Sequence, residues 1–194
     1  LIVDSDNIHA VPLALQQGIK WIQYREKRRT KKEIFSKALE LRKLTDKFNA
    51  CLIINDYVDV ALSINADGVH LGQEDLPLRE AKKIIGEKII GISTHNLNEA
   101  LNAENDGADY IGFGSIFPTD TKSNIIVQGL NRLKEIVYSV KIPIIAIGGI
   151  TVNNVKSVFE TGCFGVAASS GLLNGDIKEN ISKFLSSLNS YRPP

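Results

Sequence analysis

Short apolar runs and stretches of helical periodicity alternate along the whole chain. Runs that predict strands begin near Leu1, Trp21, Cys51, Gly68, Ile89, Tyr110, Ile142 and Cys163. Between them, apolar residues recur at three- and four-residue spacing. They predict helices over 31–48, 78–85, 97–105, 130–138 and 152–160, with a last one over 177–188. Gly18, Gly86, Gly107 and Gly162 follow helical patterns, where left-handed caps belong. The sequences Asn65-Ala66-Asp67-Gly68-Val69 and Asp106-Gly107-Ala108-Asp109-Tyr110 predict one helix-to-strand turn used twice. Strands alternating with helices mean parallel βαβ units. Eight such units in 194 residues predict an α/β fold, a compact (β/α)8 TIM barrel with short connections. No linker or low-complexity segment interrupts the pattern, so a single domain over 1–194 is expected.

In such a barrel the chemistry sits at the C-terminal ends of the strands, and the opposite face serves stability. The strand ends carry, in order, residues 23–27, Asn55-Asp56, Gln73-Glu74-Asp75, Ser93-Thr94-His95, residues 118–122, Gly148-Gly149 and Ser169-Ser170-Gly171. Polar residues and glycines therefore gather at one rim.

The stretch 53–77 is the most specific part. Two consecutive strands there end in acids, which predicts a divalent metal held by Asp56 and Asp75. Each acid is also of a type favoured at helix N-caps, and capping is the plain alternative for both. Their pairing at adjacent strand ends favours the metal. Mg2+ suits such a pair, because it takes one or two carboxylates and completes its shell with water and substrate phosphate. No Cys/His cluster suits structural zinc.

Along the second strand Gln23, Arg25 and Lys27 share one parity. Facing the barrel axis, they would set an amide and two cations at the mouth, ready for phosphate oxygens. Arg28, Arg29, Lys31 and Lys32 read as a solvated basic run. Thr119, Thr121 and Lys122 form a hydroxyl–hydroxyl–ammonium cluster suited to a phosphate-bearing ligand, although an exposed loop can have the same composition. Gly148-Gly149 and Ser169-Ser170-Gly171 follow strands seven and eight, whose loops often cradle phosphate on backbone N–H groups. His70 and His95 are proton carriers by type, with a structural role as the alternative for His70. His9 has nothing beside it. No Ser/His/Asp or Cys/His nucleophilic arrangement is readable.

Composition narrows the classes further. Hydrophobic content is 43%, charged content 23% and net charge +1, which give no reason to expect nucleic acid or an anionic membrane as partner. No apolar run reaches the length of a membrane span, and no signal-peptide pattern opens the chain. Cys51 and Cys163 sit in apolar runs as buried thiols, a usage that suits a reducing cytoplasm. The chain has no Met and opens on an apolar run, which predicts a trimmed terminus or a domain cut from a longer polypeptide. Oligomeric state is left open.

Taken together, these strand ends resemble the thiamin phosphate synthase family over essentially the whole chain. The matching stretches are QYREK at 23–27, IINDYVDVAL at 53–62, ADGVHLGQEDLP at 66–77, GISTH at 91–95, DYIGFGSIFPTDTK at 109–122 and AIGGIT at 146–151. The resemblance implies joining a pyrimidine diphosphate to a thiazole phosphate, with release of pyrophosphate. It implies pyrimidine and diphosphate contacts at Gln23, Arg25, Lys27, Asn55, Ser93 and Lys122, with Arg25, Lys27, Lys122 and Ser93 at the chemistry. It implies Mg2+ on Asp56 and Asp75, and thiazole-phosphate contacts at Thr119, Thr121, Gly149, Ser169 and Ser170. The family usually has an apolar residue where Ser169 stands and Ala where Gly171 stands. The related thiazole tautomerases carry a catalytic His in the segment after the sixth strand, where this chain has Ser115. Alternatives are that isomerase, a regulatory barrel without catalysis, and the synthase half of a bifunctional chain that also carries a kinase.

Overall fold

The structure is a computed structural model that describes residues 1–119 and 126–191. The chain forms two compact units, Leu1–Ile90 and Gly91–Pro194. The first contains β1 (Ile2–Val3), a 3-10 turn at Ile8–Ala10, α1 (Val11–Gln16), β2 (Trp21–Tyr24), α2 (Lys31–Lys47), β3 (Cys51–Asn55), α3 (Val58–Ser63), β4 (Gly68–Leu71) and α4 (Leu78–Ile85). β1, β2, β3 and β4 pair in sequence order, all parallel, with Val3 opposite Tyr24, Tyr24 opposite Ile54 and Asn55 opposite His70. The strands end at one level, so the residues after them are neighbours.

Parallel strands covered on both faces need continuous apolar runs rather than alternation. β3 meets this demand: Leu52, Ile53 and Ile54 are fully buried. α2 presents Ile34, Ala38 and Leu41 to the core and leaves its lysines outside. Each fully buried Leu or Ile of this kind contributes about 1.5–3 kcal/mol. α2 opens with a capping box, in which Thr30 accepts from the Glu33 N–H and the Glu33 carboxylate accepts from the Thr30 N–H. At the N-terminal ends of β3 and β4, the Asp67 carboxylate accepts from the Leu52 N–H at 2.7 Å and pairs with Arg42. Arg42 also pairs with Asp46 and donates to the Ala50 carbonyl.

The second unit contains β5 (Ile89–Thr94, which begins at the end of the first), α5 (Leu97–Asp106), β6 (Tyr110–Phe113), α6 (Gly129–Ser139), β7 (Ile144–Ile147), α7 (Val155–Phe159), β8 (Gly165–Ala167), α8 (Ser170–Leu173) and α9 (Ile177–Ser190). β5 to β8 again pair parallel in order. The side chains of Asn96 and Asp176 cap α5 and α9 by accepting from the N–H groups of Glu99 and Glu179. Phe113, Ile116 and Leu133 are buried within this unit. Eight parallel strands alternating with helices are the (β/α)8 pattern read from the sequence.

One turn recurs. The N–H groups of Ile19, Ala50, Ala66 and Ala108 each reach back to the carbonyl five residues earlier. The residue before each of them lies at positive φ: Gly18 at 98°, Asn49 at 47°, Asn65 at 54° and Gly107 at 86°. This is the Schellman arrangement, which satisfies orphan carbonyls and turns the chain from helix into strand. The expected near-repeat is therefore two of four copies. Gly162 also has positive φ, but Gly86, at φ 64° and ψ −130°, lies outside the left-handed helical region expected of it.

The helix expected over 152–160 starts only at Val155. The Asn154 carboxamide accepts from the Thr151 N–H at 2.8 Å, and the Thr151 hydroxyl accepts from the Asn153 N–H. These side chains offer the backbone a turn in place of the first helical residues. Cys163 is buried as expected, whereas Cys51 is only half-buried. Burial raises the Cys51 thiol to about 12 and raises Cys163 as well, so both are unreactive thiols.

Candidate active site

In the first unit the C-terminal strand ends carry the charged groups. Gln23 lies inside β2 and is buried, and the Arg25 N–H continues the ladder by donating to the Val3 carbonyl at 2.8 Å. Here the sequence reading needs a correction. β2 ends at Tyr24, so strand parity cannot place Lys27, which lies in the bend that follows. Lys27 nevertheless reaches the site, because its Nζ pairs with an oxygen of Asp56. The basic run behind it has its own partners: Arg28 and Arg29 pair with Asp6, and Lys31 pairs with Asp59. Among the described residues no ion pair engages Arg25.

Asp56 follows Asn55, the buried last residue of β3, and sits at φ 65°. A non-glycine residue in that region is uncommon, though Asp and Asn tolerate it best. The conformation is held by two backbone bonds, Asp56 N–H to the His70 carbonyl at 2.9 Å and Tyr57 N–H to the Asn55 carbonyl at 2.8 Å. The Asn55 carboxamide donates to the other oxygen of Asp56. Capping does not account for this acid, because Tyr57 occupies the N-cap of α3 and no side chain caps it. Asp75 is not a cap either, since Pro77 holds that position on α4. Asp75 instead accepts from the Gly72 N–H at 2.7 Å, which closes the turn after β4.

The two acids act on one another. Burial raises the pKa of Asp56, Lys27 pulls it down, and the neighbouring Asp75 pushes it further up; the net shift is upward. A carboxylate raised by burial and then by a second carboxylate gains from any cation placed between the two acids. No group of three or more His, Cys, Asp or Glu is assembled for a metal among the described residues. Two carboxylates are nonetheless a complete protein contribution for Mg2+.

Glu26 is a buried acid at the same strand end that strand parity passes over. It is 3% exposed and accepts from the N–H groups of Lys27 and Arg28, both at 2.9 Å, and of Ser5 at 3.1 Å. Burial opposes its ionisation, but the hydroxyl of Ser5 and these N–H groups outweigh burial and leave its pKa lowered. The available signal was an acid lodged within a run of four cations, Arg25-Glu26-Lys27-Arg28-Arg29.

In the second unit Ser93 lies half-buried in β5, and Thr119 lies half-buried in the segment after β6. Thr121 and Lys122 fall outside the described residues. The segment after β6 is docked on the end of β7, with Ile116 N–H to the Ile147 carbonyl at 2.9 Å and Phe117 N–H to the Gly148 carbonyl at 3.0 Å. Gly148 and Gly149 have φ of 99° and 63°. A Cβ on Gly148 would collide with Ser115, and one on Gly149 with the Pro118 carbonyl and with Phe117. The Gly149 carbonyl accepts from the Asn154 side chain at 2.9 Å. Ser169 is half-buried at the N-cap of α8, and Ser170, exposed, is its first residue. A Cβ on Gly171 would collide with the Ile150 carbonyl, so glycine there matches the close passage of the β7 turn. The Ser115 hydroxyl donates to the Phe117 carbonyl at 2.7 Å. His95 is exposed and joined to Glu99, and His70 is buried in β4.

A chain of parallel strands alternating with helices, with its acids, cations and paired glycines at the strand C-termini, is built as a barrel enzyme. A profile of the thiamine monophosphate synthase family matches residues 1–172. The thiamine-phosphate synthase of Clostridium acetobutylicum is 43% identical over 175 residues, covering 90% of this chain and 83% of that protein. That of Clostridium tetani is 45% identical over 179 residues, covering 92% and 84%. A thiamine phosphate pyrophosphorylase from Pyrococcus furiosus has the same fold at a TM-score of 0.90 and 39% identity, covering 98% of this chain and 95% of that one. The chain belongs to the thiamine monophosphate synthase family of transferases, and its fold is the (β/α)8 barrel.

Proposed function

We propose that the chain joins a pyrimidine diphosphate to a thiazole phosphate, forming thiamin phosphate and releasing pyrophosphate, with Mg2+ as its metal. The observation that carries the reading is the contact of Lys27 with Asp56, an acid raised by burial and by Asp75, at the ends of three neighbouring strands. Cations and paired carboxylates so close together suit a diphosphate with its metal, and the Clostridium relatives are named thiamine-phosphate synthases.

The reaction is dissociative. The bond from the pyrimidine methylene carbon to the diphosphate oxygen breaks, and the electron pair leaves with pyrophosphate. The thiazole nitrogen then forms the new bond with its own lone pair. That nitrogen has no proton to lose, so a strong general base is not required. The protein's task is to stabilise charge on the departing diphosphate and to orient the second substrate. We assign the chemistry at the diphosphate to Arg25, Lys27, Lys122 and Ser93, the three cations supplying positive charge, while Gln23 and Asn55 hold the pyrimidine. Asp56 and Asp75 would hold Mg2+, which when bound supplies further charge neutralisation. Thr119, Thr121, Gly149, Ser169 and Ser170 receive the thiazole phosphate. The Ser115 hydroxyl, bonded to the Phe117 carbonyl, disfavours the isomerase alternative, whose histidine would stand there. We assign catalysis to residues 1–194 as one domain. Two free cysteines support a reducing, cytoplasmic setting, and no described helix is long and apolar enough to cross a membrane.

The test is incubation of the purified chain with both phosphorylated substrates, with and without Mg2+, followed by detection of thiamin phosphate and pyrophosphate. Product is expected only with the metal. Formation undiminished in excess chelator would remove Asp56 and Asp75 from a metal role.

A further inference from the structure

We infer that Glu26 is a positioning residue for the cationic strand end, acting through the backbone of Lys27 and Arg28. Among the described residues it is the one acidic side chain that is buried. Sequence position alone would make it a counter-charge to Arg25 and Lys27. Its bonds show a different use. Oε1 accepts from two successive N–H groups, Lys27 and Arg28, each at 2.9 Å. Oε2 accepts from the Ser5 N–H at 3.1 Å, and the Ser5 hydroxyl in turn bonds with the buried Tyr24 hydroxyl at 2.9 Å. The carboxylate thus ties the bend after β2 to the segment after β1.

Among the described residues no strand bond fixes the chain beyond Arg25, whose N–H on the Val3 carbonyl ends the ladder. A flexible lysine on an unfixed bend would spend much of its time in water. With two N–H groups gathered on one buried oxygen, the bend directs the Lys27 side chain to Asp56. Charge-assisted bonds from backbone N–H groups are strong and directional, which suits this task. Glu26 touches no reacting atom in this arrangement.

The inference rests on the reading of Arg25 and Lys27 as diphosphate ligands, and the experiment separates the two. The variant is Glu26→Gln, which removes the charge and turns one acceptor into a donor facing Ser5. Inorganic pyrophosphate is titrated calorimetrically in the presence of MgCl2. Its Kd is expected to rise roughly tenfold to a hundredfold, the scale set by misplacing a reacting group by about 1 Å. The value of kcat/KM for the pyrimidine diphosphate should fall in parallel, while KM for the thiazole phosphate stays unchanged. Loss of a negative charge beside two cations would by itself tighten pyrophosphate binding, so tighter or unchanged binding overturns the inference. Lys27→Ala is titrated alongside. Weakened binding in Lys27→Ala but not in Glu26→Gln overturns the positioning role alone; unchanged binding in both overturns the diphosphate reading too. In the double variant Glu26→Gln should add little to Lys27→Ala, as expected for residues acting through one contact. Should Glu26→Gln not fold, hydrogen exchange in the unsubstituted protein decides the question. The Lys27 and Arg28 amides should be protected, and fast exchange at both would overturn the inference.

Discussion

Asp56 joins three constraints in one residue: a left-handed backbone, a carboxylate beside another carboxylate, and a lysine partner. Asp56→Asn is the informative substitution, since Asn tolerates the left-handed region that Ala would strain. Turnover is expected to fall by about two to three orders of magnitude, the loss typical of one preorganised charge-stabilising group. Stability should move the other way. The folded pKa of Asp56 is raised, so its stability contribution is full below the ordinary Asp value of about 3.9 and is lost as pH rises through the folded value. In metal-free buffer the Asn variant should therefore match the native chain in acid and exceed it at neutral pH, as read by urea denaturation at several pH values. A variant less stable than the native chain at neutral pH would show that Lys27 outweighs burial and Asp75 at this carboxylate. Acids at the strand ends were legible in sequence. The φ of 65° and the lysine partner were not, because both arise from the pairing of β3 with β4 and from the bend after β2.

Among the elements, the long helices could be read almost to the residue, since α2, α4, α5, α6 and α9 each span two turns or more of periodic pattern. α1 and α3 have six residues and α8 has four, too few for a repeat every 3.6 residues to be seen. The glycine pair after β7 reads in sequence as a phosphate cradle; its packing adds a second duty, as the seat for the segment after β6. Gly149→Ala should destabilise the protein by about 1–3 kcal/mol from overpacking, in addition to about 1–2 kcal/mol for a Cβ at positive φ. Gly175 also has positive φ, but a Cβ there meets nothing within 4 Å. Gly175→Ala should show only the backbone cost. Comparing the two by denaturant unfolding isolates the docking contribution; equal losses would remove it.

For the molecule as a whole, alternation of strands and helices was enough to give the fold class, because a parallel strand requires a crossover before the next. The family followed from residues at the strand ends, where few substitutions preserve a charge array. The segment holding Thr121 and Lys122 has no apolar pattern of its own, and its contribution was legible only as composition. A ligand that binds only the folded state raises its stability by about 2.7 kcal/mol at a hundred times Kd. Pyrophosphate with Mg2+ should accordingly raise Tm by several degrees in the native chain, and much less in Asp56→Asn. An equal rise in both would dissociate the metal from Asp56.

The Arg42–Asp67 pairing lies at the N-terminal ends of β3 and β4, a strand's length from Asp56 and Asp75. The same strands thus hold their anchorage at one end and their reactive groups at the other. Errors at the two ends carry different penalties: at the anchored end they remove folded protein, at the reactive end they remove turnover and leave folded protein behind. Such a chain can explore new substrates by drift at one tip of each strand without first risking its own assembly.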